Sequence, residues 1–254
     1  MPSTTMSSNL RPAYTGVASL PPHFAPVPLS TNGMEFVPPH RNDTPGTLFG
    51  PAVPEPYTVP APRFIRYTDS REFLIFTDGS CLRNGDSSAS AGCSIVFRPA
   101  TSRRYELGGN LHMLGYSNFR LETCGPDGHA YRQTSNRAEL RAAIAALQFR
   151  RWTEEGLERL VIVTDSEYVA SGATDWVWRW MRNGWRTAEG RRVGNKDLWE
   201  LLVSELDAQG EDGLEVFFWR VRRELNAEVD RLAKEAARME ETEYFDTTYY
   251  DDEL

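Results

Sequence analysis

Over the middle of the chain, apolar residues come in short runs separated by polar turns, and their period changes from run to run. Phe73-Leu74-Ile75-Phe76 is stopped by Thr77-Asp78-Gly79, and Ala91-Gly92-Cys93-Ser94-Ile95-Val96-Phe97 is a second run of strand length and composition. A third strand is expected near Arg103-Arg104-Tyr105. Leu140, Ile144 and Leu147, spaced along one face of an Ala-rich body, predict a helix over residues 136–151. Leu160-Val161-Ile162-Val163 reads as a buried strand closed by Thr164-Asp165. A helical basic segment, a helix over 196–206, a strand over 215–219 and a helix over 226–239 complete the series. Strands alternating with helices in this way predict an α/β architecture, a mixed sheet with helices on its faces.

The two ends lack this periodicity. Residues 1–62 hold 14 of the 16 prolines and neither Lys nor Trp, the composition of a disordered, partly polyproline-like arm. Residues 240–254 carry seven acids and no base, the composition of a solvated acidic tail. One folded domain is therefore expected over residues 63–239. The net charge of −8 seems to disfavour a polyanionic partner, yet residues 63–239 are neutral, with 26 bases and 26 acids. Between Trp176 and Lys196 six bases stand against Glu189 alone, interleaved with Trp176, Trp178, Trp180 and Trp185. Such a basic and aromatic stretch is either a nucleic-acid-binding element or an amphipathic helix with buried tryptophans and solvated arginines.

An odd set of three cysteines (Cys81, Cys93, Cys124), with no leader and no apolar run of about 18 residues, predicts neither a disulfide scaffold nor a membrane protein. The expected setting is intracellular, nucleus or cytoplasm. The first 34 residues, without acids and rich in Ser and Thr but with Arg11 as their only Lys or Arg, leave the mitochondrion open. The terminal Asp251-Asp252-Glu253-Leu254 resembles a retention signal but is read as an accidental acidic end.

Three acids stand where chemistry gathers in α/β proteins: Asp78 and Asp165 directly after apolar strands, and Glu139 near a helix start; Asp230 begins the last helix. Singly, each has a structural explanation as a turn, a cap or an i, i+4 partner of Lys234. Together they would repel one another unless a cation neutralised them, and their hard oxygens select Mg²⁺ or Mn²⁺. Two such ions about 4 Å apart serve in-line phosphodiester displacement. No zinc spacing, Gly-rich phosphate loop or G-x-S-x-G elbow competes with this reading.

The strings Thr77-Asp78-Gly79-Ser80-Cys81-Leu82-Arg83-Asn84-Gly85, Thr134-Ser135-Asn136-Arg137-Ala138-Glu139-Leu140, Val163-Thr164-Asp165-Ser166-Glu167-Tyr168-Val169 and Asn226-Ala227-Glu228-Val229-Asp230 resemble the type 1 ribonuclease H family, and its fungal members in particular. Trp176, Trp180, Gly184, Trp185, Thr187, Val193, Asn195, Asp197, Leu198 and Trp199 also match that family's helix and basic protrusion. The resemblance spans roughly residues 70–239. It implies a ribonuclease H-like fold, with a mixed five-stranded sheet and helices on both faces. It implies a monomeric endonuclease, not membrane-bound, that cleaves the RNA strand of RNA/DNA hybrids. Asp78, Glu139, Asp165 and Asp230 would be its catalytic and metal-binding residues, holding two Mg²⁺ ions with Mn²⁺ as a substitute. Asn84, Asn136 and Glu167 match positions that contact the RNA strand. Arg132, Thr134 and Asn195 match a phosphate pocket for the DNA strand, and Trp185 a residue that packs on DNA sugar.

Two departures qualify the resemblance. No histidine lies between Trp219 and Asp230, where many members carry one in a mobile loop; a slower enzyme is expected, with water or Glu224 moving the proton. The 61-residue interval from Asp78 to Glu139 holds an extra irregular stretch around residues 121–132. A second hybrid-binding face is not expected in an arm without Lys or Trp. The alternative function is a catalytically weak or inactive hybrid-binding scaffold of the same fold, and a third is a resolvase or exonuclease of that fold. Retention of all four acids favours the enzyme.

Overall fold

The computed structural model describes residues 33–54, 62–99 and 115–246. Its centre is the run that opens the sequence pattern, extended at both ends into the 14-residue strand β4 (Asp69–Leu82). Alternation divides its side chains: Phe73 and Ile75 enter one core, Leu74 and Phe76 the apolar clusters on the opposite face. One edge of β4 pairs in parallel with β7 (Arg159–Thr164), which pairs in parallel with β8 (Glu215–Arg220). Its other edge is shared by two antiparallel strands, β3 (Arg63–Arg66) on the first half and β5 (Ser90–Val96) on the second. β6 (Tyr116–Arg120) extends the sheet from β5.

Helices α2 (Ser135–Gln148) and α5 (Lys196–Glu211) cover the Phe73 face, closed by Leu140, Ile144, Leu147, Leu198, Trp199 and Leu202. The continuous helical run of α3 (Glu167–Ser171), a π-helical turn (Gly172–Trp176) and α4 (Val177–Arg182) joins this layer through Val169, Ala173 and Val177. On the opposite face α6 (Ala227–Ala236) sets Val229 and Leu232 against Val96 and Phe76. The expectation of a mixed α/β sheet with helices on both faces is met.

Three expectations are corrected. The sheet has eight strands among the described residues, not five. The extra ones are β3 and two strands from the segment read as part of a disordered arm: β1 (Met34–Glu35), parallel to β8, and β2 (Phe49–Ala52), antiparallel to β3, with the one-turn helix α1 (Pro45–Leu48) between them. Phe36 and Phe49 cover the part of the second face that α6 leaves open, packing with Leu74, Val161, Val163 and Trp219. Pro51 is tolerated because β2 is an edge strand, where a missing N–H breaks no central ladder. The acidic tail is also docked in its first part. Thr123 N donates to Thr242 O at 2.9 Å, Cys124 N donates to Glu243 O at 2.9 Å, and the Arg141 guanidinium lies 4.4 Å from the Phe245 ring. The expected strand at Arg103-Arg104-Tyr105 lies outside the described residues, as do residues 1–32 and 55–61 of the arm and 247–254 of the tail. Among the described residues no helix is long and apolar enough to cross a membrane.

Candidate active site

Parallel pairing puts two of the acids level. Phe76 of β4 is registered with Val163 of β7, and Asp78 and Asp165 each lie two residues further along the chain, Asp78 still within β4 and Asp165 just past the end of β7. The third acid is brought by helix packing. A side chain at Gly79 would collide with the backbone of Ala138 and Glu139, so only glycine lets α2 approach β4 closely enough to set Glu139 beside Asp78. Asp230 comes from the first turn of α6. The segment that starts this helix is tied to the strands by Asn226, whose Nδ2 donates to Thr77 O and Asp165 Oδ1, both at 3.1 Å.

The electrostatics report the convergence. Burial, and then the charges of Asp165, Glu139 and Asp230, push the Asp78 carboxyl up from 3.8 to about 8. Burial also raises Glu139, opposed by a hydrogen bond from the Ser166 hydroxyl. Asp230 is held differently, with Arg223 Nη2 on Oδ1 at 2.7 Å and Lys234 Nζ on Oδ2 at 2.6 Å. A set of carboxylate oxygens in mutual repulsion is the donor chemistry that hard divalent cations satisfy, so the residues fit such an ion. Their present positions do not close a cage: among the described residues no three acidic, His or Cys side chains are grouped tightly enough to hold an ion as they stand. Asp230 in particular has both oxygens engaged by cations of the chain.

Beside the acids runs a groove lined by Asn84, Thr134, Asn136, Tyr168, Trp176, Trp180, Thr187 and Asn195. It unites two residues expected at the RNA strand, Asn84 and Asn136, with two expected at a DNA phosphate, Thr134 and Asn195. Thr134 caps α2, its oxygen accepting from Arg137 N at 3.2 Å, which leaves its hydroxyl hydrogen for a ligand. Asn195 stands in the left-handed region at φ 55° and donates from Nδ2 to the Tyr168 hydroxyl at 3.1 Å. Beneath both lies the buried Arg137–Asp197 pair, bidentate at 3.0 and 2.6 Å. Arg132 is exposed near the groove and donates to Gly85 O at 3.3 Å.

Trp185 and Glu167 lie outside the groove lining. Trp185 stands at the base of the loop closed by the Arg186–Arg192 bridge, its carbonyl accepting from Val193 N at 3.1 Å, at φ 61° and with Lys196 Nζ 5.5 Å from the centre of its ring. Arg182, Arg186, Arg191 and Arg192 are exposed around it. Glu167 is exposed and paired with Arg220 at 3.0 Å. Trp180 is half-buried against the core, and Trp176 packs on Tyr168 and Trp180; both line the groove.

Sequence reasoning missed the residues that hold this site together. The Arg137 guanidinium and the Tyr168 hydroxyl position Asn195, Ser166 holds Glu139, and Arg223 reaches Asp230. Each lies within three residues of a motif position or inside one, but nothing in the chain's pattern states which partner it meets. Glu224, singled out for the missing histidine's place, is exposed on the short helical turn at Arg223–Leu225, and its neighbour Arg223 contacts Asp230.

The RNase H family model matches residues 70–238. Ribonuclease H of Treponema pallidum subsp. pallidum is 36% identical over 169 residues, covering 65% of this chain and 89% of that protein. Ribonuclease H1 of Mus musculus is 32% identical over 176 residues, covering 66% of this chain and 51% of that protein, so the chain spans about half the mammalian relative. Among solved structures, LC9-RNase H1, described as a type 1 RNase H with the type 2 active-site motif, is similar at 26% identity and a TM-score of 0.42. That match covers 65% of this chain and 71% of that one.

Proposed function

This chain belongs to the ribonuclease H family, and from that membership we propose that it cleaves the RNA strand of RNA/DNA hybrids as an endonuclease, using Asp78, Glu139, Asp165 and Asp230. The observation that carries the assignment of the site is the convergence of three acids on buried Asp78, whose carboxyl is raised to about 8 by burial and by them. A structural role would gain nothing from like charges held together.

Divalent-metal dependence follows from the family, and the all-oxygen donor set supports Mg²⁺, in two ions, with Mn²⁺ as a substitute. When bound, such ions supply an activated water and stabilise the leaving oxygen of the phosphodiester. The chain's own residues do the rest. Asn84 and Asn136, short polar side chains in the groove, suit contacts to the 2′-hydroxyls that distinguish RNA from DNA. The Thr134 hydroxyl and the Asn195 amide, held by Arg137 and Tyr168, offer neutral donors to a DNA-strand phosphate, with Arg132 adding charge nearby. Trp185 offers an aromatic face for sugar, and the arginines around it add affinity without sequence preference. Glu167, exposed and paired with Arg220, is the third residue assigned to the RNA strand.

The test is cleavage by the full chain of a labelled RNA/DNA hybrid, double-stranded RNA and double-stranded DNA in Mg²⁺, beside Asp78→Asn. Cutting of the hybrid's RNA strand alone, abolished in the variant, is expected. A hybrid that binds yet stays intact in both Mg²⁺ and Mn²⁺ would replace this reading with a binding scaffold, and cutting of duplex DNA would replace it with another nuclease class.

A further inference from the structure

Four acids meet at the site, and the structure sets two cations of the chain against one of them. Lys234 belongs to the helix of Asp230, one turn on, and its contact is an ordinary i, i+4 pair. Arg223 is different. It comes from the separate short helical turn at Arg223–Leu225, seven residues before Asp230, and reaches back to place Nη2 2.7 Å from Oδ1. It also lies in the fields of Asp165 and Asp78, which with Asp230 raise its own already high pKa. Its side chain is 68% exposed whereas that of Asp230 is 15% exposed, so the guanidinium can swing into solvent while the carboxylate stays.

We propose that Arg223 is a displaceable counterion of the acidic cluster: it neutralises Asp230 when no divalent ion is bound and yields that carboxylate when one is taken up. Its removal therefore changes the ion concentration at which the site loads. This rests on the reading that the four acids hold divalent ions. The physical reason is competition between positive charges for one carboxylate. With Lys234 on Oδ2 and Arg223 on Oδ1, an ion that ligates Asp230 meets two cations already seated there, and their repulsion opposes loading until one withdraws. The guanidinium, mobile and adjacent, is the one whose departure breaks no contact within a helix. The same contact lowers the repulsion among the acids in the unloaded protein, so Arg223 stabilises the fold in that condition and opposes loading.

Isothermal titration of the full-length protein with Mn²⁺ tests this, comparing wild type, Arg223→Gln, Arg223→Lys and Asp230→Asn, alongside thermal unfolding of each in EDTA and in saturating Mn²⁺. Arg223→Gln should bind Mn²⁺ about two- to fivefold more tightly, the worth of one partly exposed ion pair. It should melt earlier than wild type in EDTA and close that gap in Mn²⁺. Arg223→Lys, which keeps the charge, should stay near wild type in affinity. A purely structural role would lower both melting temperatures alike and leave the Mn²⁺ affinity unchanged, and that outcome overturns the proposal, as does weaker binding in Arg223→Gln. Mn²⁺ binding that is undiminished in Asp230→Asn would instead overturn the assignment of the metal site itself.

Discussion

Asp78→Asn should make the protein more stable in EDTA while abolishing its activity. The Asp78 carboxyl holds its proton to about 8 in the fold, against 3.8 when freely solvated. At pH 7 the unfolded chain has released that proton and the folded chain has retained it. Each pH unit across this window is worth about 1.4 kcal/mol, so the acid costs the fold about 4 kcal/mol at pH 7 as an upper bound. Asparagine keeps the shape without the charge but brings an amide that must find buried partners. A net gain of about 2–3 kcal/mol is therefore expected. The sign follows from proton counts: the folded state binds more protons than the unfolded one from about pH 4 to about pH 8, so wild-type stability falls as pH rises through that window. Below it the advantage of the variant vanishes, and above it the advantage is constant. Urea denaturation of both proteins at pH 5, 6, 7, 8 and 9 in EDTA measures this difference. Saturating Mg²⁺ should then favour the wild type, because an ion that binds only the folded acidic site adds stability by mass action. A gap that does not change with pH, or a variant less stable than wild type at pH 8, would refute the argument that the buried, mutually repelling acids are strained.

Other expectations concern the parts that hold the site. Gly79→Ala should cost about 3 kcal/mol or more and lose activity even where it folds, because the added methyl forces α2 off β4 and carries Glu139 away from Asp78; unfolding curves and hybrid cleavage check both. Phe36→Ala should destabilise by about 3 kcal/mol, since the ring is buried with its centre 4.7 Å from that of Trp219, and calorimetry on a full-length variant would show it as a lowered transition. Paired Arg186→Ala and Arg192→Ala substitutions should flatten the dependence of log affinity on log salt by about one unit for each phosphate no longer neutralised, read by fluorescence anisotropy on a labelled hybrid, while thermal stability stays unchanged.

Much of this protein is legible in its chain. The runs at Phe73–Phe76, Leu160–Val163 and 215–219 contain their strands' apolar positions because a strand buried on both faces is continuously apolar. The four acids are legible because each lies inside a string with several other matching residues, although β4 does not stop at Asp78 as its turn-like Thr77-Asp78-Gly79 suggests but runs on to Leu82. Three things were decided by the tertiary structure. Residues 33–54 fold although they read as a Pro-rich arm, because a two-residue strand and a one-turn helix have no period to detect, and they are stabilised by Phe36 and Phe49 covering a face that α6 leaves bare. The start of the acidic tail docks through backbone carbonyls and one aromatic ring, groups that charge counting does not weigh. Arg223 is one arginine among several in Trp219-Arg220-Val221-Arg222-Arg223-Glu224, and only the path of the turn into α6 sets it, and not its neighbours, on Asp230. Local pattern determines what each segment can become, since period and propensity act within a few residues. Which carboxylate meets which cation depends on contacts between segments far apart in the chain, and those exist only once the sheet has closed.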